Sequence, residues 1–179
     1  MFIFRTSKII CFTKKGHNQE VIPVILNLKV MTTKEALLEQ CILFVHDKLA
    51  IIETIMTENH KALQQESKSS AGDKHETGRA MLHLEMEKAS QQLEVAKQMQ
   101  ETLNRIQLNV ASEKIKLGSL IATDQGNYFL TISAGELTVD GKYYYAVSPS
   151  SPIGALLIGK EKGSIVTWGA KAIKILSIS

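Results

Sequence analysis

From Lys34 onward the apolar residues recur at alternating steps of four and three. They are Leu38, Ile42, Val45, Leu49, Ile52, Met56 and Leu63, with polar Asn59 in one seam position. Leu37, Phe44, Ile51 and Ile55 widen that stripe on one side. A second run answers it with Leu82, Met86, Ala89, Leu93, Ala96 and Leu103, and Met99 and Ile106 fall close to the same seam. Apolar a and d positions with polar residues between them spell a coiled coil. Thr32 and Glu35 form a capping box that opens the first arm. Between the arms stands the small, polar stretch "SSAGDKHETGRA", Ser69–Ala80. Arms of near-equal length joined by a polar tip predict an antiparallel hairpin over 31–110, which buries both stripes against each other. Arms of ~30–35 residues at ~1.5 Å per residue make a rod of roughly 45–50 Å, with its tip near residues 69–78.

After Val110 the period changes. "KIKLGSLIAT", "GNYFLTISAG", "ELTVDGKYYYAVS", "GSIVTWG" and "AIKILSI" are short, rich in β-branched and aromatic residues, and separated by glycine or Asp-Gly. They predict about five strands, with Asp140-Gly141 as a hairpin turn. In "SSPIGALLIGKEKG", Ser151 is a natural N-cap, Pro152 a natural first helical residue and Gly159 a stop, which gives one helix of about two turns. The fold class expected is therefore α+β: a helical hairpin over 31–110 followed by a small α+β domain over 111–179.

Residues 1–30 fit neither period. They mix short apolar runs with Lys14, Lys15 and Pro23, while Arg5 and Lys8 interrupt any signal-peptide core. With a clean helix start at Thr32, the expectation is that translation naturally begins at Met31 and that 1–30 is an appended or misassigned leader without order. No run of ~18 apolar residues occurs, so no segment predicts a membrane-spanning helix. The net charge of +3 is unevenly placed. Residues 1–30 carry +4 (five cations, one acid), 31–110 carry −3 (nine against twelve) and 111–179 carry +2 (seven against five). That balance is too mild for a protein held to nucleic acid mainly through phosphate charge, so any such contact is expected through a partner. The two cysteines, Cys11 and Cys41, form no C-x-x-C pair and fit a reducing, cytoplasmic compartment; Cys41 reads as a small buried hydrophobe.

The candidate chemistry is the pair Asp73 and Glu76 at the tip. Their i, i+3 spacing places two carboxylates on one side of a turn or first helical turn, where the helix dipole favours them. One or two carboxylates complete a shared Mg²⁺ site, since this hard cation takes oxygen ligands and keeps several waters. The plainer reading makes Asp73 the N-cap of the second arm and Glu76 its capping-box partner, and both hold together. His75 and His83 read as exposed helix-face residues. Tyr143-Tyr144-Tyr145 reads as strand alternation with Trp168 packed nearby, or else as an exposed docking patch. Lys160 and Lys162 are surface charges or part of a docking face.

These residues carry a resemblance to the bacterial Gre transcript-cleavage factors (GreA and GreB), extending over nearly all of 31–179. "LGSLIAT" resembles that family's first strand. "SSPIGALLIGKEKGS" resembles its S-P-x-x-x-A-L-L-G-K-x-x-G-D signature through Ser151, Pro152, Ala155, Leu156, Leu157, Gly159, Lys160 and Gly163, with Ile158 inserted and Ser164 at the last, acidic position. The family's tip motif G-D-x-x-E stands here as Gly72, Asp73, Lys74, His75 and Glu76. The resemblance implies an antiparallel coiled coil joined to an FKBP-like globe, acting as a monomer on RNA polymerase. It implies that the coiled coil enters the polymerase secondary channel, where Asp73 and Glu76 help hold a shared Mg²⁺ near the RNA 3′ end. The polymerase then cleaves its own backtracked transcript, and the factor needs no cofactor of its own and is no enzyme by itself. Lys74, His75, Arg79, Ser151, Pro152, Lys160 and Lys162 are the expected partner contacts. Where the family continues with Asn and a more acidic first turn, this chain has Thr77, Gly78 and Arg79, which leaves open a channel-binding regulator without cleavage. A third class is a stand-alone enzyme, either an acyltransferase or condensing enzyme using Cys41, which needs a histidine base in a pocket, or a prolyl isomerase, which needs an aromatic-lined pocket.

Overall fold

The computed structural model describes residues 10–11, 24–25, 31–66, 74–109 and 112–179. The chain divides into two compact units, Met1–Met31 and Thr32–Ser179. In the first, strands β1 (Ile10–Cys11) and β2 (Val24–Ile25) pair antiparallel. The rest of the expected leader lies outside the described residues.

The second unit is α+β: two long helices, then a six-stranded mixed sheet with one short helix. Helix α1 spans Thr33–Glu66 and α2 spans Lys74–Asn104. The expected capping box is formed at the start of α1. Glu35 N–H donates to Thr32 Oγ1 at 3.2 Å, and Thr32 N–H donates to a Glu35 carboxylate oxygen at 2.8 Å. The helices run antiparallel. Leu37 of α1 shares a core with Leu103 of α2, and farther out Ile52 faces the stretch from Lys88 to Val95. Residues 110 and 111, where the sequence changes period, lie outside the described residues.

Six strands follow: β3 (Leu120–Thr123), β4 (Asn127–Leu130), β5 (Gly135–Val139), β6 (Lys142–Val147), β7 (Ile165–Trp168) and β8 (Lys171–Ile178). About five were expected. The sixth arises because the Asp140-Gly141 turn, with both residues at positive φ (51° and 72°), splits "ELTVDGKYYYAVS" into β5 and β6. The sheet order is β5-β6-β4-β3-β8-β7, and β4 with β6 is its one parallel pair. Helix α3 (Pro152–Leu157) starts as its sequence predicts. Ser151 Oγ accepts from Gly154 N–H at 3.1 Å, Pro152 occupies the first turn, and Gly159 follows the helix at φ 75°.

Successive residues of β4 point to opposite faces, and this divides the core in two. Phe129 packs with Leu37, Cys41, Val45 and Leu103, joining the helix pair to the sheet. Leu130, one residue on, packs with Ile115, Leu157, Val166 and Ile175 under α3. The junction also shifts the buried stripe of α1. Leu37 and Cys41 are buried there, whereas Ile42 is half exposed. The four–three pattern through Ile42 serves a helix partner alone. Near its base α1 must also meet the sheet, and the i, i+4 line Leu37-Cys41-Val45 faces both. Leu37, expected on the flank, is therefore a core residue, while Ile51 stays exposed.

Candidate functional site

The tip motif falls at the junction of the two helices. Residues 67–73, including Gly72 and Asp73, lie outside the described residues. Lys74, His75 and Glu76 are the first residues of α2. Thr77 and Arg79 follow as exposed residues, as does His83. The core joining helices to sheet reaches only to Leu49 on α1 and Met99 on α2. Beyond it the helices pack on each other through Ile52, Asn59, Ala89 and Ala96, all buried. The stretch from Ile52 to Glu66 covers roughly 20 Å at ~1.5 Å per residue, so the far end of α1 stands well away from the sheet. The Nδ2 of Asn59 is buried in this seam without a hydrogen-bond partner.

The other expected contact residues gather at the α3 end of the sheet. Ser151 Oγ donates to the Ser148 carbonyl at 2.6 Å and accepts from Gly154 N–H, so its hydroxyl is engaged in starting the helix. Pro152, Lys160 and Lys162 are exposed. Between the two lysines Glu161 pairs with Lys114 at 3.6 Å, and both of those side chains are largely exposed.

Cys41 is fully buried between α1 and the sheet, in the cluster that contains Phe129. Burial pushes its thiol up to about 12, against a smaller opposing influence of the Thr131 hydroxyl. That hydroxyl approaches the sulfur without reaching hydrogen-bond geometry, for Thr131 Oγ1 is itself buried and unpartnered. A neutral, inaccessible thiol is a packing group, without the thiolate that a nucleophile requires. A cleft of about 470 Å³ lies where α2 meets the sheet, and its described lining is aliphatic, thioether, hydroxyl and amide side chains with Arg105 the one charge among them. An isomerase pocket would use aromatic rings, and none is among the described residues that line this cleft.

The tyrosine run alternates as expected: Tyr144 is buried, Tyr143 and Tyr145 exposed. Tyr145 stacks obliquely on Tyr128 at 5.9 Å, and the Glu136 carboxylate beside its hydroxyl raises its pKa. Trp168 does not join them by strand order. It stands on β7, at the sheet edge opposite β5 and β6. Sequence periodicity held no signal for this, because strand order is a long-range property. Among the described residues no group of three His, Cys, Asp or Glu side chains converges as a metal site, and no helix is long and apolar enough to cross a membrane. No family model, curated protein or solved structure matches the chain.

Proposed function

We propose that this protein is a Gre-like transcription elongation factor, whose helix pair works as a coiled-coil probe and whose sheet domain is FKBP-like. The observation that carries the reading is positional. Helix α1 ends at Glu66 and α2 begins at Lys74, both far from the sheet that holds the helix bases, and in the sequence Gly72-Asp73-x-x-Glu76 runs across the start of α2. A carboxylate pair presented that way can be delivered into a narrow channel of a larger machine while the sheet domain stays outside. The partner is bacterial RNA polymerase, with the factor bound as a monomer in the cytoplasm.

Asp73 and Glu76 act there by offering oxygen ligands to a Mg²⁺ shared with the polymerase. Two carboxylates leave most of an octahedral shell to other donors, so the pair suits a shared site rather than a resident one. When bound, the metal supplies charge stabilisation for phosphodiester hydrolysis. Lys74, His75 and Arg79 supply positive charge beside the RNA phosphates. The docking contacts of the sheet domain are Pro152, Lys160 and Lys162, with Ser151 holding the α3 start.

A second reading keeps the channel and drops the cleavage. It is favoured by the sequence after Glu76, where Thr77, Gly78 and Arg79 replace a more acidic turn. The test is transcript cleavage in backtracked elongation complexes from the same organism. The full chain should shorten the transcripts, and Asp73→Ala with Glu76→Ala should abolish that while leaving polymerase binding intact. Binding without cleavage by either protein would select the channel-occupying regulator. Absence of binding would end both readings.

A further inference from the structure

The sheet has two edges, and they are treated differently. At β5 the outer side is met by α1, where Gln40 Nε2 donates to the Thr138 carbonyl at 2.9 Å. Among the described residues β7 pairs only with β8, while α3 packs nearby through Leu157, which shares a core with Val166. The β7–β8 hairpin closes through Gly169 and Ala170, with Gly169 at φ 59°. A two-residue connection makes Trp168 and Lys171 a hydrogen-bonded pair, and antiparallel alternation makes Val166 and Ile173 the next. The N–H and C=O groups of Ile165 and Thr167 therefore point out of the sheet. Among the described residues they meet no other backbone partner.

The side chains around this edge share one character. Val166 is buried and roots the strand, while Ile165 is 65% and Trp168 42% exposed. Lys171 and Lys174 pair with Trp168 and Ile165, Lys160 and Lys162 stand just before the strand, and all four are exposed. The nearby carboxylates are Glu161, which pairs with Lys114, Glu113, which lines one cleft with Glu161 and Lys162, and Asp124, which accepts from Lys174 backbone N–H at 2.9 Å. The edge is thus an open hydrogen-bonding template with two apolar anchors and an excess of positive charge.

We infer that β7 is a docking edge for an extended, acidic segment of another protein, which adds to the sheet as a strand. Strand addition draws affinity from main-chain hydrogen bonds and specificity from alternate side chains. Here Ile165 and Thr167 offer the main-chain groups, Ile165 and Trp168 the apolar contact, and the lysines the charge selection. A second copy of this chain is the wrong occupant. It would set lysines against lysines, and edge lysines are a standard barrier to such self-pairing. This edge is independent of the tip, so its test leaves the cleavage reading untouched.

Trp168 is the chain's single tryptophan, so intrinsic fluorescence reports on the edge directly. The full chain is titrated with a blocked heptapeptide alternating glutamate and valine, and with its lysine-for-glutamate counterpart. The acidic peptide should give a saturable blue shift, and the basic one should bind at least about tenfold more weakly. Thr167→Pro removes an outward N–H without touching the β7–β8 ladder, and should weaken the acidic peptide about tenfold. Lys171→Glu with Lys174→Glu, which keeps every backbone group, should reverse the peptide preference. No saturable shift, an equal response to both peptides, or an unchanged preference in the charge-reversed protein would overturn the inference. So would concentration-dependent dimerisation of the parent chain that blocks the edge.

Discussion

Adding one methyl group at Gly154 tests the account of how α3 is seated. A Cβ built there falls 2.8 Å from the Ser148 carbonyl carbon, 2.9 Å from Ser151 Oγ, and nearer still to the Ser148 oxygen. The two closest blocking atoms, the oxygen and carbon of the Ser148 carbonyl, are backbone, so rotating a side chain cannot relieve the contact. The same carbonyl accepts from Ser151 N–H at 3.0 Å and from Ser151 Oγ at 2.6 Å. Moving it strains two hydrogen bonds worth about 1 kcal/mol each. Overpacking adds about 1–3 kcal/mol, and the helix propensity of alanine returns about 1. Gly154→Ala should therefore lose about 3 kcal/mol, which for a chain of this size lowers Tm by roughly 6–12 °C. Urea unfolding followed by Trp168 fluorescence and by circular dichroism measures it. Gly159→Ala is the control. It stands at φ 75° with open space around its Cβ, so it should lose only about 1 kcal/mol, from left-handed backbone strain. A Gly154→Ala protein as stable as the parent, or no weaker than Gly159→Ala, would refute the close approach of α3 to Ser148.

Asn59→Leu should stabilise the helix pair by about 1–2 kcal/mol, because it removes a buried amide nitrogen without a partner from an apolar seam; a lower thermal midpoint would show that the amide has a role there. Leu37→Ala should cost about 2–5 kcal/mol and Ile42→Ala less than about 1, since only Leu37 is buried; equal losses in urea would place the α1 stripe where its heptads alone put it. Cys41 gives a pH signature. Its folded pKa is raised to about 12 from the ordinary 9.0, so between those values the unfolded chain has released a proton that the folded chain keeps. Stability should fall as pH rises through that window, by at most about 1.4 kcal/mol per unit, and be unaffected by Cys41 below pH 9. Comparing urea midpoints of the parent and Cys41→Ala at pH 8 and pH 10.5 tests this, and parallel slopes would remove the thiol from the account.

Much of the architecture is written locally. The arms of α1 and α2, the Thr32–Glu35 box, the Asp140-Gly141 turn and the Ser151-Pro152 start of α3 each depend on residues within a few positions of one another. A reading of period and cap therefore reaches them. Of the candidate site, the same reading reaches the start of α2 at Lys74, whereas Asp73 lies outside the described residues. The strand count was misjudged where a turn, correctly placed, was not allowed to divide its segment.

What the sequence by itself determined is thus the type and order of elements in the second unit. Only the tertiary structure decided which face of α1 is core. Leu37 and Cys41 displace Ile42 because the helix base meets Phe129 as well as α2, and that contact joins residues some ninety positions apart. It also decided that Trp168 and Ile165 stand on an open edge rather than beside the tyrosines. Strand order follows from long-range pairings such as Ile121 with Ile178, which no local period encodes. Local sequence sets each element's hydrogen bonds and caps, whereas burial depends on what each element finally faces.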